Sequence, residues 1–124
     1  LTDVTGVQTC ALPIFETTAS TTLIRWNLLT SADVTITGSK TAELVKNGKK
    51  MILKVVQPAN VTMKTWSTVS PNSYDAANPG TIFTGFEATL PASAKISLVV
   101  LLLPEGAVEN ESVTSKNLSV WPSN

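Results

Sequence analysis

Five side chains in this sequence are suited to holding an anionic ligand built of sugar-like rings: Lys50, Lys54, Lys64, Trp66 and Tyr74. The three lysines share strand parity across a turn at Pro58, so they are expected to line one face of a sheet, with Lys46 and Lys49 joining them at a hairpin tip. Such a stripe attracts a polyanion, although a solvated sheet face is the commoner use of the same pattern. Trp26, Trp66 and Trp121 offer aromatic faces of the kind that pack against pyranose C–H surfaces, but being dispersed over three elements all three read more readily as core or domain-contact residues, with Trp66 kept as the candidate ligand contact. Tyr74, the only tyrosine, stands beside Asp75. It reads either as a phenolic acid/base or as an amphipathic anchor pinning its loop to the domain, and the anchor is the expectation.

The chemistry that is missing narrows the reading further. There is no histidine, which removes the commonest general base and metal ligand. The acids Glu16, Asp33, Glu43, Asp75, Glu87, Glu105, Glu109 and Glu111 are spread over different segments, with no evident carboxylate pair. No Gly-rich phosphate loop, nucleophile elbow or metal-ligand spacing occurs. The expectation is a chain with no catalytic residue, no metal site and no cofactor of its own. A complete small enzyme is disfavoured on the same grounds.

Residues Val4 to Ile14 resemble, codon for codon, the translation of a short-read sequencing adapter, and the frame runs on into Phe15. Residues 1–14 are therefore set outside the fold as adapter-derived, and Cys10, the only cysteine, goes with them. What remains is about 110 residues, enough for one domain burying roughly 65% of its unfolded surface. With nine basic and nine acidic residues in the whole chain, no global field draws in nucleic acid or an anionic membrane. The charge is locally uneven, since residues 40–64 carry six lysines and one acid. The longest apolar run, Leu98 to Leu103, is far shorter than the ~20 residues that cross a bilayer as a helix.

The elements that position these side chains are strands. Thr, Val, Ile and Leu recur with period two, which predicts strands at Thr21–Leu29, Val34–Thr37, Ala42–Lys46, Lys50–Gln57, Val61–Val69, Thr81–Leu90 and Lys95–Leu103, with a short eighth at Leu118–Trp121. Asn47-Gly48 tolerates positive φ at both central positions of a type I′ turn and predicts a hairpin there. Turns are also expected at Pro58-Ala59-Asn60 and Pro91-Ala92-Ser93. Within Thr81–Leu90, residues Ile82, Phe86, Ala88 and Leu90 form a core parity interrupted by Thr84, while Phe83, Glu87 and Thr89 face outward. In Lys95–Leu103 apolar residues take both parities after Ser97, the mark of a strand covered on both sides or meeting a neighbouring domain. Short strands without a convincing helix predict an all-β antiparallel sandwich of seven or eight strands over residues 15–106, followed by a polar tail at 107–124. The loop Ser70 to Gly80 is long enough to be functional.

The segments Arg25-Trp26-Asn27-Leu28-Leu29-Thr30, Lys46-Asn47-Gly48-Lys49-Lys50-Met51, Lys64-Thr65-Trp66-Ser67-Thr68, Tyr74-Asp75, Asn78-Pro79-Gly80 and Gly85-Phe86-Glu87-Ala88 give Phe15 to about Gly106 a likeness. It resembles the C-terminal β-domain of heparinase II/III-family polysaccharide lyases. The resemblance implies a periplasmic or secreted parent in which an upstream helical toroid and a β-sandwich together cleave uronic-acid-containing glycans by β-elimination, with the catalytic tyrosine and histidines mostly on parts of that parent absent from this sequence. No catalytic position of that family maps onto this chain. The implied partners are that upstream catalytic domain and an acidic polysaccharide, with no nucleic acid and no membrane. The alternative is an immunoglobulin-like binding or adhesion module of a secreted bacterial protein, since such sandwiches host many functions.

Overall fold

The computed structural model describes residues 8–107, with side chains from Phe15 onward. The described chain is all β: β1 (Gln8–Glu16), β2 (Thr22–Thr30), β3 (Asp33–Ile36), β4 (Thr41–Lys46), β5 (Lys49–Gln57), β6 (Thr62–Ser67), β7 (Ile82–Leu90) and β8 (Lys95–Pro104). They form two antiparallel sheets, one of five strands in the order β1-β8-β5-β4-β3 and one of three in the order β2-β7-β6. The seven strands expected between Thr21 and Leu103 are all present, with ends moved by one or two residues. The short strand expected at Leu118–Trp121 lies outside the described residues.

Alternation decides which side of each strand is dry. Inward-facing Ala42, Leu44, Leu53, Val55, Leu98 and Val100 of the larger sheet meet Met63, Phe86, Ala88 and Leu90 of the smaller one, with Val61 at the junction, in a single apolar cluster. Trp26 closes it from β2, its ring stacked on Phe86 at 5.8 Å between centroids and 22° between planes. Thr84 does not interrupt the core face as its polarity suggests. It is wholly buried, and its hydroxyl donates to the Lys64 carbonyl at 3.5 Å, which lets a polar group remain in the apolar layer.

The connections divide into hairpins within a sheet and crossings between sheets. Asn47 (φ 52°) and Gly48 (φ 73°) close the β4–β5 hairpin with both central residues in the left-handed region, as a type I′ turn requires. A Cβ at Gly48 would have open space around it, so only backbone strain penalises a side chain there. Gly48→Val is expected to cost about 1–2 kcal/mol in denaturant unfolding. A neutral result would mean that the turn relaxes to another type and shifts the Lys46↔Lys49 pairing.

The segments at residues 58–61 and 91–94 each carry the chain from one sheet to the other. Thr17 fastens the second of these. Its hydroxyl donates to the Pro91 carbonyl at 2.7 Å and accepts the Ala94 N–H at 2.8 Å, while its own N–H donates to the Ala94 carbonyl at 2.9 Å. The backbone of Gln8–Ile14, which the sequence sets outside the fold, continues the edge strand that Phe15 and Glu16 belong to. It pairs along β8 with a break in register between Ala11 and Ile14.

Candidate functional site

The outer face of the three-stranded sheet gathers the residues with chemistry. Register places Leu29, Phe83 and Trp66 in one cross-strand row, Asn27, Gly85 and Lys64 in the next, and Arg25, Glu87 and Thr62 in a third. The middle row has glycine at its centre, so long side chains from the rows on either side meet above it. The Arg25 guanidinium stands 4.6 Å from the centroid of the Trp66 ring, at cation–π distance. The same guanidinium donates to Glu87 Oε1 through Nη2 at 2.6 Å and Nε at 3.0 Å, and Lys64 Nζ donates to Glu87 Oε2 at 2.6 Å. Two cations therefore share one carboxylate, and the cluster keeps one positive charge in surplus.

The hydrogen bond from Lys64, then that from Arg25, holds the Glu87 carboxyl below the usual carboxylate value of 4.5, against a smaller opposing push from desolvation. Folding thus lowers this pKa. The stability it contributes is complete above the unfolded value and disappears as pH falls through the lower folded value. Glu87→Gln is expected to flatten the acid limb of a stability–pH profile below about pH 5. An acid limb unchanged by the substitution would show that the two ion pairs do not persist in solution.

Beside this face, the loop after β6 folds back to leave a cleft of about 670 Å³ lined by Trp66, Thr68, Val69, Pro79, Gly80 and Ile82, among others. The loop is held by its own polar groups. Thr68 Oγ1 donates to the Thr81 carbonyl at 2.9 Å, Thr81 Oγ1 to the Asn78 carbonyl at 2.6 Å, and Ser70 Oγ to the Ala76 carbonyl at 2.9 Å. At its tip the Asn72 N–H and side-chain amide both reach Asp75 Oδ2, at 3.3 and 3.2 Å. Tyr74 does not pin this loop to the sandwich as expected, for it is 84% exposed. The tip is braced by Asn72 and Asp75, which frees the phenol to project.

The expected lysine stripe is not a single face. Lys50 and Lys54 lie on β5 in the five-stranded sheet, and Lys64 lies on β6 in the other. The crossing at residues 58–61 preserves their parity count but transfers the chain to the opposite layer, so their outward faces look away from each other. Lys50 is paired with Glu43 at 3.2 Å, and Lys46 donates to the Ser31 hydroxyl. The structure thus unites Lys64 and Trp66, places the Tyr74 loop next to them, and separates Lys50 and Lys54. Sequence reasoning missed Arg25 and Glu87. Their signal was present in the outward parity of Glu87 and in the Arg-Trp pair of β2, but only the β2–β7 register brings them together. Among the described residues there is no group of three or more acidic, cysteine or histidine side chains placed to hold a metal ion.

No protein-family model and no curated protein matches this chain.

Proposed function

We propose that this domain is a non-catalytic β-sandwich of a heparinase II/III-like polysaccharide lyase, and that it supports the catalytic domain while presenting an acidic-glycan contact surface on its three-stranded sheet. The observation that carries this is the Arg25–Trp66 stack beside Lys64, opening onto the cleft under the 68–81 loop. A uronate chain offers carboxylates and apolar ring faces in alternation. Arg25 and Lys64 answer the first, and Trp66, with half-exposed Leu29 in the same row, answers the second. Glu87 holds both cations in register and lowers their net attraction, so binding is expected to be weak and to weaken further as salt rises. Lys50 and Lys54 remain outside this surface.

The test uses the purified chain with heparan sulfate, hyaluronan and alginate oligosaccharides. Ultraviolet absorbance of unsaturated uronate is expected to stay at background. Binding, followed by calorimetry at low and physiological salt, should weaken as salt rises. It should fall at least about fivefold in Trp66→Ala and in Lys64→Ser, a loss of roughly 1 kcal/mol, while Lys50→Ser leaves it unchanged. Turnover by the chain would overturn the non-catalytic assignment. Equal binding by wild type and Trp66→Ala would overturn the surface.

A further inference from the structure

Of the four edge strands among the described residues, β2 is the one left without protection. An edge strand invites pairing with another chain, and natural edges are blunted by shortness, lysine, proline or a bulge. β3 has four residues, β6 has six with Lys64 among them, and β1 contains Pro13 and breaks register between Ala11 and Ile14. β2 runs for nine residues in unbroken register with β7, contains no proline or lysine, and pairs with no other described strand. Its single charge, Arg25, is bound to Glu87. No described backbone hydrogen bond outside the ladders uses residues 22–30.

The sandwich is also open along this edge. Core-facing Phe86, Ala88 and Leu90 of β7 and Met63 of β6 are buried, whereas Ile24, Trp26 and Leu28 of β2 pack against the same cluster while only partly covered. On the outer side of the strand Leu23 and Leu29 are 61% and 49% exposed.

The sequence of β2 points to what covers it. Thr22-Leu23-Ile24-Arg25-Trp26-Asn27-Leu28-Leu29-Thr30 reads nearly the same in both directions about Trp26. We propose that β2 pairs antiparallel with β2 of a second copy of this chain, across a twofold axis at Trp26, joining the two three-stranded sheets into one of six strands. A twofold contact needs a surface complementary to itself, and this register supplies one. Thr22 stands opposite Thr30 of the second copy, Leu23 opposite Leu29 of the second copy, Ile24 opposite Leu28 of the second copy, and Trp26 opposite its own equivalent. On the inner side the partly covered Ile24, Trp26 and Leu28 close over one another and carry the core through the interface. On the outer side the exposed leucines cover each other.

Charge selects the same register. Arg25 faces the neutral side chain of Asn27 of the second copy, whose amide oxygen is an acceptor for the guanidinium. Sliding the strands by two residues one way sets the two arginines directly opposite each other, which is destabilising, and sliding them the other way sets Arg25 against Leu29 of the second copy. A strand from an unrelated protein would draw nothing from this symmetry. The axis is perpendicular to the sheet, so both Arg25–Trp66–Lys64 faces look to the same side, with the two β6 strands about 24 Å apart across five strand spacings.

Sedimentation equilibrium on the full chain tests this. Association is expected from 13.1 kDa to twice that mass and no further, because pairing consumes the edge. The interface is small, so the dissociation constant is expected in the micromolar range. Leu23→Lys with Leu29→Lys places lysine against lysine twice and should weaken the dimer at least about 30-fold. Leu23→Lys with Leu29→Glu places opposite charges together in the same register and should keep it. Should the leucine variants fail to fold, Asn27→Asp and Asn27→Lys give the second arm, the first expected to tighten the dimer at low salt and the second to weaken it. A chain that stays at 13.1 kDa up to about 1 mM would overturn the proposal. So would equal association of the two leucine variants, or an Asn27→Lys chain that dimerises as well as wild type.

Discussion

Gly85→Ala is expected to destabilise this domain by about 3 kcal/mol or more, the upper end of what overpacking costs. A Cβ built at Gly85 would stand 1.9 Å from the Trp26 carbonyl oxygen, 2.7 Å from Asn27 Cα and 2.9 Å from the Trp26 carbonyl carbon. All three are backbone atoms of β2, so no rotamer change relieves the clash and the strand itself must move. It is held by nine consecutive residue pairs to β7, from Thr22↔Leu90 to Thr30↔Ile82, and movement at the centre breaks ladder hydrogen bonds on both sides. Against a total stability of roughly 5–15 kcal/mol, such a loss leaves a marginal fold. Gly38 provides the control. Its nearest obstruction is a side-chain atom, Thr41 Oγ1 at 2.9 Å, which can rotate aside, so Gly38→Ala should cost less than about 1 kcal/mol. The measurement is denaturant unfolding of both variants. A Gly85→Ala protein as stable as wild type would mean that β2 and β7 are not as closely apposed at Asn27 as this register requires.

Gly85 also shows where the sequence could be read and where it could not. Its presence inside an apolar strand pattern signals a close backbone approach or a bulge, but nothing in the string says that Arg25 and Trp66 meet over it. Strand positions were legible because period-two alternation and the Asn47-Gly48 turn are local properties. Faces within a strand were legible too, as the outward Phe83, Glu87 and Thr89 illustrate. Sheet membership was not. Parity counted across Pro58 says that Lys54 and Lys64 agree in phase, yet phase is silent about whether the chain stays in its layer, and at residues 58–61 it leaves. The two charge clusters therefore had to be read from pairing: Lys50 with Glu43 on one sheet, Lys64 and Arg25 with Glu87 on the other. Thr84 failed for a different reason. Polarity normally marks the wet parity, and a single hydroxyl satisfied by the adjacent strand's carbonyl escapes that rule. The dryness of β8 on both sides was legible from its composition, because an uninterrupted run of Leu and Val leaves no residue for solvent.

Phe86→Ala is expected to cost about 3–5 kcal/mol, the range for removing a fully buried aromatic side chain. Phe86 is completely inaccessible, sits at the middle of the central strand of the smaller sheet, and pairs in register with Trp26 on one side and Met63 on the other. It faces the larger sheet through the same cluster that contains Leu53, Val55, Leu98 and Val100. Truncation removes the ring's contacts with both layers and its stacking on Trp26, a pair worth about 0.5–1.5 kcal/mol beyond simple burial. Phe86→Leu keeps most of the volume and should cost less than half as much. The informative comparison is Phe83→Ala, which deletes the same ring three residues away on the same strand but from the outward parity, where Phe83 is only partly buried. Its cost should be less than half that of Phe86→Ala in equilibrium unfolding. Equal losses at the two positions would mean that the outer face of the smaller sheet is packed rather than open, and the glycan surface proposed on Arg25, Lys64 and Trp66 would then have no access to ligand.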